Sequence, residues 1–179
     1  MDRGIYKIKN KGFTLIELIV VIAVIAIVAS ISTYSLNNVT IHRVRSFAND
    51  CDALLAQCKI ETMSGASDTS VTIENDGDGW IAVLNKNGGS IKRPASKSKK
   101  FICTADITDS FGRKNSIKLK RIELFFERST GKIHLKSYTE AGGIYMSGTG
   151  RECTKITISN AVGEKSIILV PQTGYHDVQ

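Results

Sequence analysis

The sequence predicts an α+β protein: a long N-terminal helix, transmembrane in its first half, packed in its second half on an antiparallel β-sandwich-like head. Three observations predict it. An apolar run follows a basic leader. The hydrophobic pattern then takes the period of an amphipathic helix, and beyond Asp68 it takes the two-residue period of half-buried strands. The 179 residues suffice for one domain plus an anchor, and 42% apolar with 23% charged residues excludes a disordered chain.

The formal net charge is +7. Arg3, Lys7, Lys9 and Lys11 against Asp2 place +3 of it in the first twelve residues, so the remainder carries 7 − 3 = +4. That is ordinary for a domain of this size, and the whole-chain charge overstates the case for nucleic acid or an anionic surface.

Phe13 to Ile31 would make about 28 Å of helix, close to the ~30 Å hydrocarbon core. The basic leader in front orients such a segment with the leader inside and the rest of the chain outside the cytoplasm. A secretory signal cleaved near Ala29-Ser30, or a plain single-pass anchor, accounts for the run but not for Glu17. A carboxylate in hydrocarbon costs at least about 2.5–3.5 kcal/mol, and on this reading it gives an isolated helix nothing in return.

The string Lys11-Gly12-Phe13-Thr14-Leu15-Ile16-Glu17 with the apolar helix behind it resembles the class III signal of type IV pilins and type II secretion pseudopilins. The resemblance covers about Lys11 to Ile31. It implies cleavage by prepilin peptidase between Gly12 and Phe13, N-methylation of Phe13, and pairing of Glu17 with the Phe13 ammonium of a neighbouring subunit. It also implies a subunit held in the cytoplasmic membrane, handled by a membrane assembly platform, and built with other pilins or pseudopilins into a pilus or pseudopilus. Two positions depart from the family pattern, Ala26 for a common glycine and Tyr34 for a common proline. Without proline the helix should stay intact there, an expectation that suits a low-copy subunit better than the body of a long filament.

From Val44 the apolar positions Val44, Phe47, Ala48, Cys51, Leu54, Leu55 and Cys58 follow one helical face, and Ser64-Gly65 is a stop signal. The expected segments are 1–12, a leader that is removed; 13–35, a transmembrane and filament-core helix; 36–64, its amphipathic continuation; and 65–179, the head. Cys51, Cys58, Cys103 and Cys153 would lie on the oxidising side, as disulfides or as buried free thiols. Cys51 and Cys58 are disfavoured as a pair, because seven helical residues separate them by about 10.5 Å.

In the head, 70–74 and 80–84 flank the turn Asn75 to Gly79, and 101–103 is a short strand. Strand 116–126 turns at Ser129-Thr130-Gly131 into 132–136, and a last hairpin joins 155–159 to 166–170, ended by Pro171. Seven strands in two sheets are expected, with 86–100 as a basic loop. The layout is similar to that of the H-type minor pseudopilins, through Asp78-Gly79-Trp80 opening a strand, the central Thr-Gly turn and the final hairpin.

Other chemistry is weakly signalled. Glu74, Asp76 and Asp78 lack calcium-loop spacing and read as a hairpin turn, with no metal or cofactor expected. Lys92, Arg93, Lys97, Lys99 and Lys100 form a basic run that suits phosphate contact by a DNA-binding minor pilin of a competence pilus, or a solvated loop. His42, His134 and His176 are scattered and no catalytic motif is present, so no enzyme is expected.

Overall fold

The computed structural model describes residues 13–65, 68–94 and 101–179, the side chains of residues 31–38 and 94 excepted. The chain divides into two compact units, Met1–Asn38 and Val39–Gln179. A single continuous helix, α1 (Leu15–Met63, 49 residues), begins in the first unit and ends in the second. It is unbroken through Ala26 and Tyr34, as expected where neither glycine nor proline interrupts it.

From Leu18 to Ala29 every residue of the helix is apolar. Its large apolar side chains are exposed from Leu15 (77%) to Val28 (57%), an apolar surface that suits burial against something other than its own chain. Among the described residues no helix is long and apolar enough to cross a membrane.

In the second unit α1 buries the face expected from its period: Val44, Phe47, Ala48, Cys51, Leu54, Leu55 and Cys58. The helix stops at Ser64-Gly65, where Gly65 takes φ +78°, a left-handed conformation that glycine adopts without strain. Its last turn holds no basic residue. Arg128 of the head supplies the cation instead, donating to the Gly65 carbonyl at 2.8 Å and the Thr62 carbonyl at 3.4 Å, so the orphan carbonyls of the helix end find a donor there.

The head has ten strands among the described residues, all paired antiparallel: β1 (Ser70–Asn75), β2 (Trp80–Lys86), β3 (Gly89–Pro94), β4 (Ile102–Thr108), β5 (Lys114–Phe126), β6 (Ile133–Glu140), β7 (Tyr145–Ser147), β8 (Glu152–Ser159), β9 (Glu164–Val170) and β10 (Tyr175–Val178). They form two sheets, β3-β2-β1-β5-β6-β7 and β10-β9-β8-β4-β5. The long β5 belongs to both. Its residues 114–118 pair with β4, then 121–125 pair with β1 and 119–126 with β6, with register shifts at Leu119/Arg121 and Glu123/Leu124. Such irregularities bend a strand and let it turn a corner between sheets.

The α1 face packs with the inward residues of both sheets in one core, including Ile73, Leu84, Ile122, Leu124, Ile156, Ile158 and Ile167. Each such side chain contributes about 1.5–3 kcal/mol on burial. Trp80 is buried with its indole N–H donating to the Phe101 carbonyl at 2.9 Å, and Phe101 stacks on Phe47 with ring centroids 6.4 Å apart. At the far end of the helix the sheets meet again: the Ile133 N–H donates to the Pro171 carbonyl at 3.0 Å, and Lys59 Nζ donates to the carbonyls of Thr173 and Gly174 at 3.1 and 3.2 Å.

The α+β class holds, and the strand inventory is corrected from seven to ten. β3 lies in the stretch read as a basic loop. It is an edge strand ending at Pro94, where a missing N–H costs no ladder bond. β7 is three residues long and β10 has His176 at one of its two inward positions, so neither carries an apolar alternation legible in sequence; pairing with β6 and β9 forms them. β4 runs on to Thr108, well past Cys103.

Candidate functional site

The N-terminal end of α1 is built by Thr14 and Glu17. The Glu17 Oε2 accepts the Thr14 backbone N–H at 2.8 Å and the Thr14 hydroxyl at 2.9 Å, while the Glu17 N–H donates to Thr14 Oγ1 at 3.3 Å. This is a reciprocal capping box, with threonine at the N-cap and glutamate three residues on. It satisfies two of the orphan donors of a helix start and places a negative charge at the positive end of the helix dipole. The expectation that Glu17 gives an isolated helix nothing is therefore wrong. The signal was present as Thr14-x-x-Glu17, and Thr14 is the residue that the sequence reading passed over.

Both side-chain bonds fall on Oε2, and among the described residues Oε1 accepts no hydrogen bond. Phe13, one residue before the cap, is 89% exposed. Gly12 and the rest of the leader lie outside the described residues. The described part of the site is thus an exposed aromatic, a capping pair and a carboxylate with one oxygen bonded by no described residue, at the start of an exposed apolar helix.

The four cysteines are free and buried. Cys51 on α1 and Cys103 on β4 lie within electrostatic reach of each other, beside the Phe47–Phe101 stack. Burial pushes the Cys51 and Cys103 thiols well up, and it raises Cys153 to about 12. Cys58 shares a hydrogen bond with Thr69 at 3.2 Å, and Cys153 faces Ile107 across the β4–β8 ladder. All four act as small core side chains in this arrangement.

The acidic turn is structural in its bonding. Asp76 Oδ1 accepts the N–H groups of Asp78 and Gly79 at 3.0 and 3.1 Å, which closes the β1–β2 hairpin. Of the basic run, Lys92 and Arg93 stand exposed on edge strand β3, and Lys97, Lys99 and Lys100 lie outside the described residues. The outer face of the first sheet carries a compact charge network. Glu123 accepts from Ser70 at 2.9 Å and Lys136 at 2.8 Å, and Arg121 lies 3.5 Å from Glu123 and 3.6 Å from Glu74.

The histidines do not converge. His42 is exposed on α1, His134 stacks on Phe125 at 5.2 Å, and His176 reaches inward from β10 to Asp52 of α1, with Nε2 3.9 Å from Oδ1.

Residues 7–33 match the family model of the prokaryotic N-terminal methylation motif. No curated protein and no solved structure matches the chain. The chain thus carries the prepilin-type signal of type IV pilins and pseudopilins, which implies a peptidase-processed structural subunit that assembles with other pilins.

Proposed function

We propose that this chain is a minor pilin or minor pseudopilin. Prepilin peptidase cuts between Gly12 and Phe13, the new Phe13 amine is methylated, and residues 13–35 hold the subunit in the cytoplasmic membrane as a single pass with the head outside. An assembly platform then transfers it into a type IV pilus-like filament. The observation that carries this reading is the methylation motif over 7–33, a stretch that contains Gly12, Phe13 and Glu17.

The chemistry follows from two charges. Cleavage creates an ammonium at Phe13, and Glu17 Oε1 accepts no hydrogen bond from the described residues. Each charge is costly in hydrocarbon, and when subunits stack the two offset each other. A pair of this kind sets register between helices as well as adding attraction. The exposed apolar surface of α1 supplies the packing area, and the head of two sheets on the helix suits a subunit of the H-type minor class.

The test is co-expression with a prepilin peptidase followed by intact mass and N-terminal peptide analysis. The expected product starts at N-methylated Phe13. The variant Gly12→Ala should retain the leader. A chain still starting at Met1 beside a peptidase that cuts a control prepilin would sink the proposal.

A further inference from the structure

We propose that the outer face of the first sheet binds an uncharged oligosaccharide, in a groove that crosses its strands. Asn85 of β2, Ser70 of β1, Phe125 of β5 and His134 of β6 are direct register neighbours from strand to strand. They form one row across four strands, about 14 Å long. A cavity of about 760 Å³ is lined by Asn85, Ser70 and Phe125, and a second of about 660 Å³ by Phe125 and His134. The two meet at Phe125 and Lys136, which line both. Each has the size of a small-ligand site, about 300–1,000 Å³.

The charges along the groove are engaged within the protein. Lys86, Arg128, Lys136 and Arg151 stand against five carboxylates, those of Asp68, Asp109, Glu123, Glu127 and Glu152. Lys86 pairs with Glu61 and Lys136 with Glu123. Arg128 donates to the carbonyls of Thr62 and Gly65, and Arg151 to that of Ser147. Asp109 holds Arg113, Glu127 accepts from Thr130, and Glu152 accepts from Gln172. A polyanion would meet a wall with more carboxylates than cations, and every one of those cations already has a partner.

What stays open is mostly uncharged. Asn85 gives its Nδ2 to Ser70 and Thr72 and keeps Oδ1 for another donor. The Asn87 amide, the Ser110 hydroxyl and the His134 ring nitrogens make no hydrogen bond among the described residues. Together these groups donate and accept. Phe125, half-buried, adds an aromatic surface and is held in place by the stacked ring of His134 at 5.2 Å. A pyranose ring matches this set, because it lays C–H faces on an aromatic ring and carries hydroxyls around its rim. An extended peptide matches it less well. Asn85, Ser70 and Phe125 each have paired neighbours on both sides, so the groove offers no free edge for main-chain pairing. Paired strands also hold the row rigid, so binding orders little of the protein. The site stands on the head alone, apart from the leader and the helix start.

The full chain, in a detergent without sugar groups, is applied to an immobilised panel of neutral and acidic oligosaccharides. Retention on neutral members is expected, and it should change less than about twofold between about 0.1 M and about 0.5 M salt. Phe125→Ala should weaken binding to the best neutral member about tenfold, and His134→Ala about threefold. His134 is exposed, so its variant keeps the fold if Phe125→Ala does not, and thermal unfolding reports on both. Tyr145 is 68% exposed and lies outside the groove, and Tyr145→Ala should bind as wild type does. Retention of no neutral oligosaccharide, retention of acidic members alone with loss in salt, or wild-type binding by His134→Ala would overturn the proposal.

Discussion

Thr14 and Glu17 close on each other at the first turn of α1, each accepting a hydrogen bond from the other's backbone N–H. The residue proposed to pair between subunits is thus already placed by a bond within its own. Removing the cap should cost about 1 kcal/mol at the helix start. For Thr14→Ala, amide exchange at Ile16 and Glu17 should quicken by about fivefold, while Thr14→Ser, which keeps the hydroxyl, should leave it near the wild-type rate.

Glu17→Ala removes a charge from an apolar helix, so membrane insertion should be intact or improved. Incorporation into filaments should drop, because the Phe13 ammonium loses its counter-charge. Fractionation of membranes and sheared filaments reads both, and normal incorporation would count against the pairing.

Gly174 takes φ +62° and lies so close to the Gly131 carbonyl that a Cβ would collide with it. Gly174→Ala should lower stability by about 1–3 kcal/mol, from backbone strain together with the clash. Gly79 has open space around it and no left-handed φ, and Gly79→Ala should stay within about 0.5 kcal/mol. Thermal unfolding of the two variants separates the effects.

The thiols should be silent to an alkylating reagent in the folded protein and countable after unfolding. Burial raises them, Cys153 to about 12, so almost no thiolate exists at neutral pH. Denaturation under argon, followed by alkylation and mass measurement, should give four modified cysteines, all free in the structure.

Glu123 links acid to stability. Burial pushes its carboxyl up, but hydrogen bonds from Lys136 and Ser70 and the charges of Lys136 and Arg121 more than offset this, and the net shift is downward. The unfolded chain therefore binds the proton more readily. The stabilisation is present above the ordinary glutamate range and is lost as pH falls through the lowered value. In Glu123→Gln the acid limb of a stability–pH curve should be shallower than in wild type.

The helix was the legible part. Its buried face was readable from Val44 to Cys58 because a helix that packs on one side must repeat its apolar residues at helical spacing. The hairpins around Asp76 and Asn160 were readable for a similar reason, since their side chains bond the turn locally. β3, β7 and β10 were not, because their pairing partners decide them and their own residues do not. The contact between Asp52 and His176 was closed to sequence reasoning altogether: 124 residues separate them, and only the closure of the second sheet beside the helix brings them together. The role of Thr14 was legible in the Thr14-x-x-Glu17 spacing of a capping box.

Because β5 serves both sheets, the head offers no natural seam. A chain that has paired only β1, β2 and β3 lacks the strand on which β4 and β6 must dock, and β5 itself gains its full set of partners only when residues far apart in sequence have arrived. Folding should then be slow, as in other domains ruled by distant pairings, and it should be all-or-none. During export the head would stay open to proteases until its last strands emerge, and once closed it would resist them as a block, so a nick in one sheet would cost the other as well.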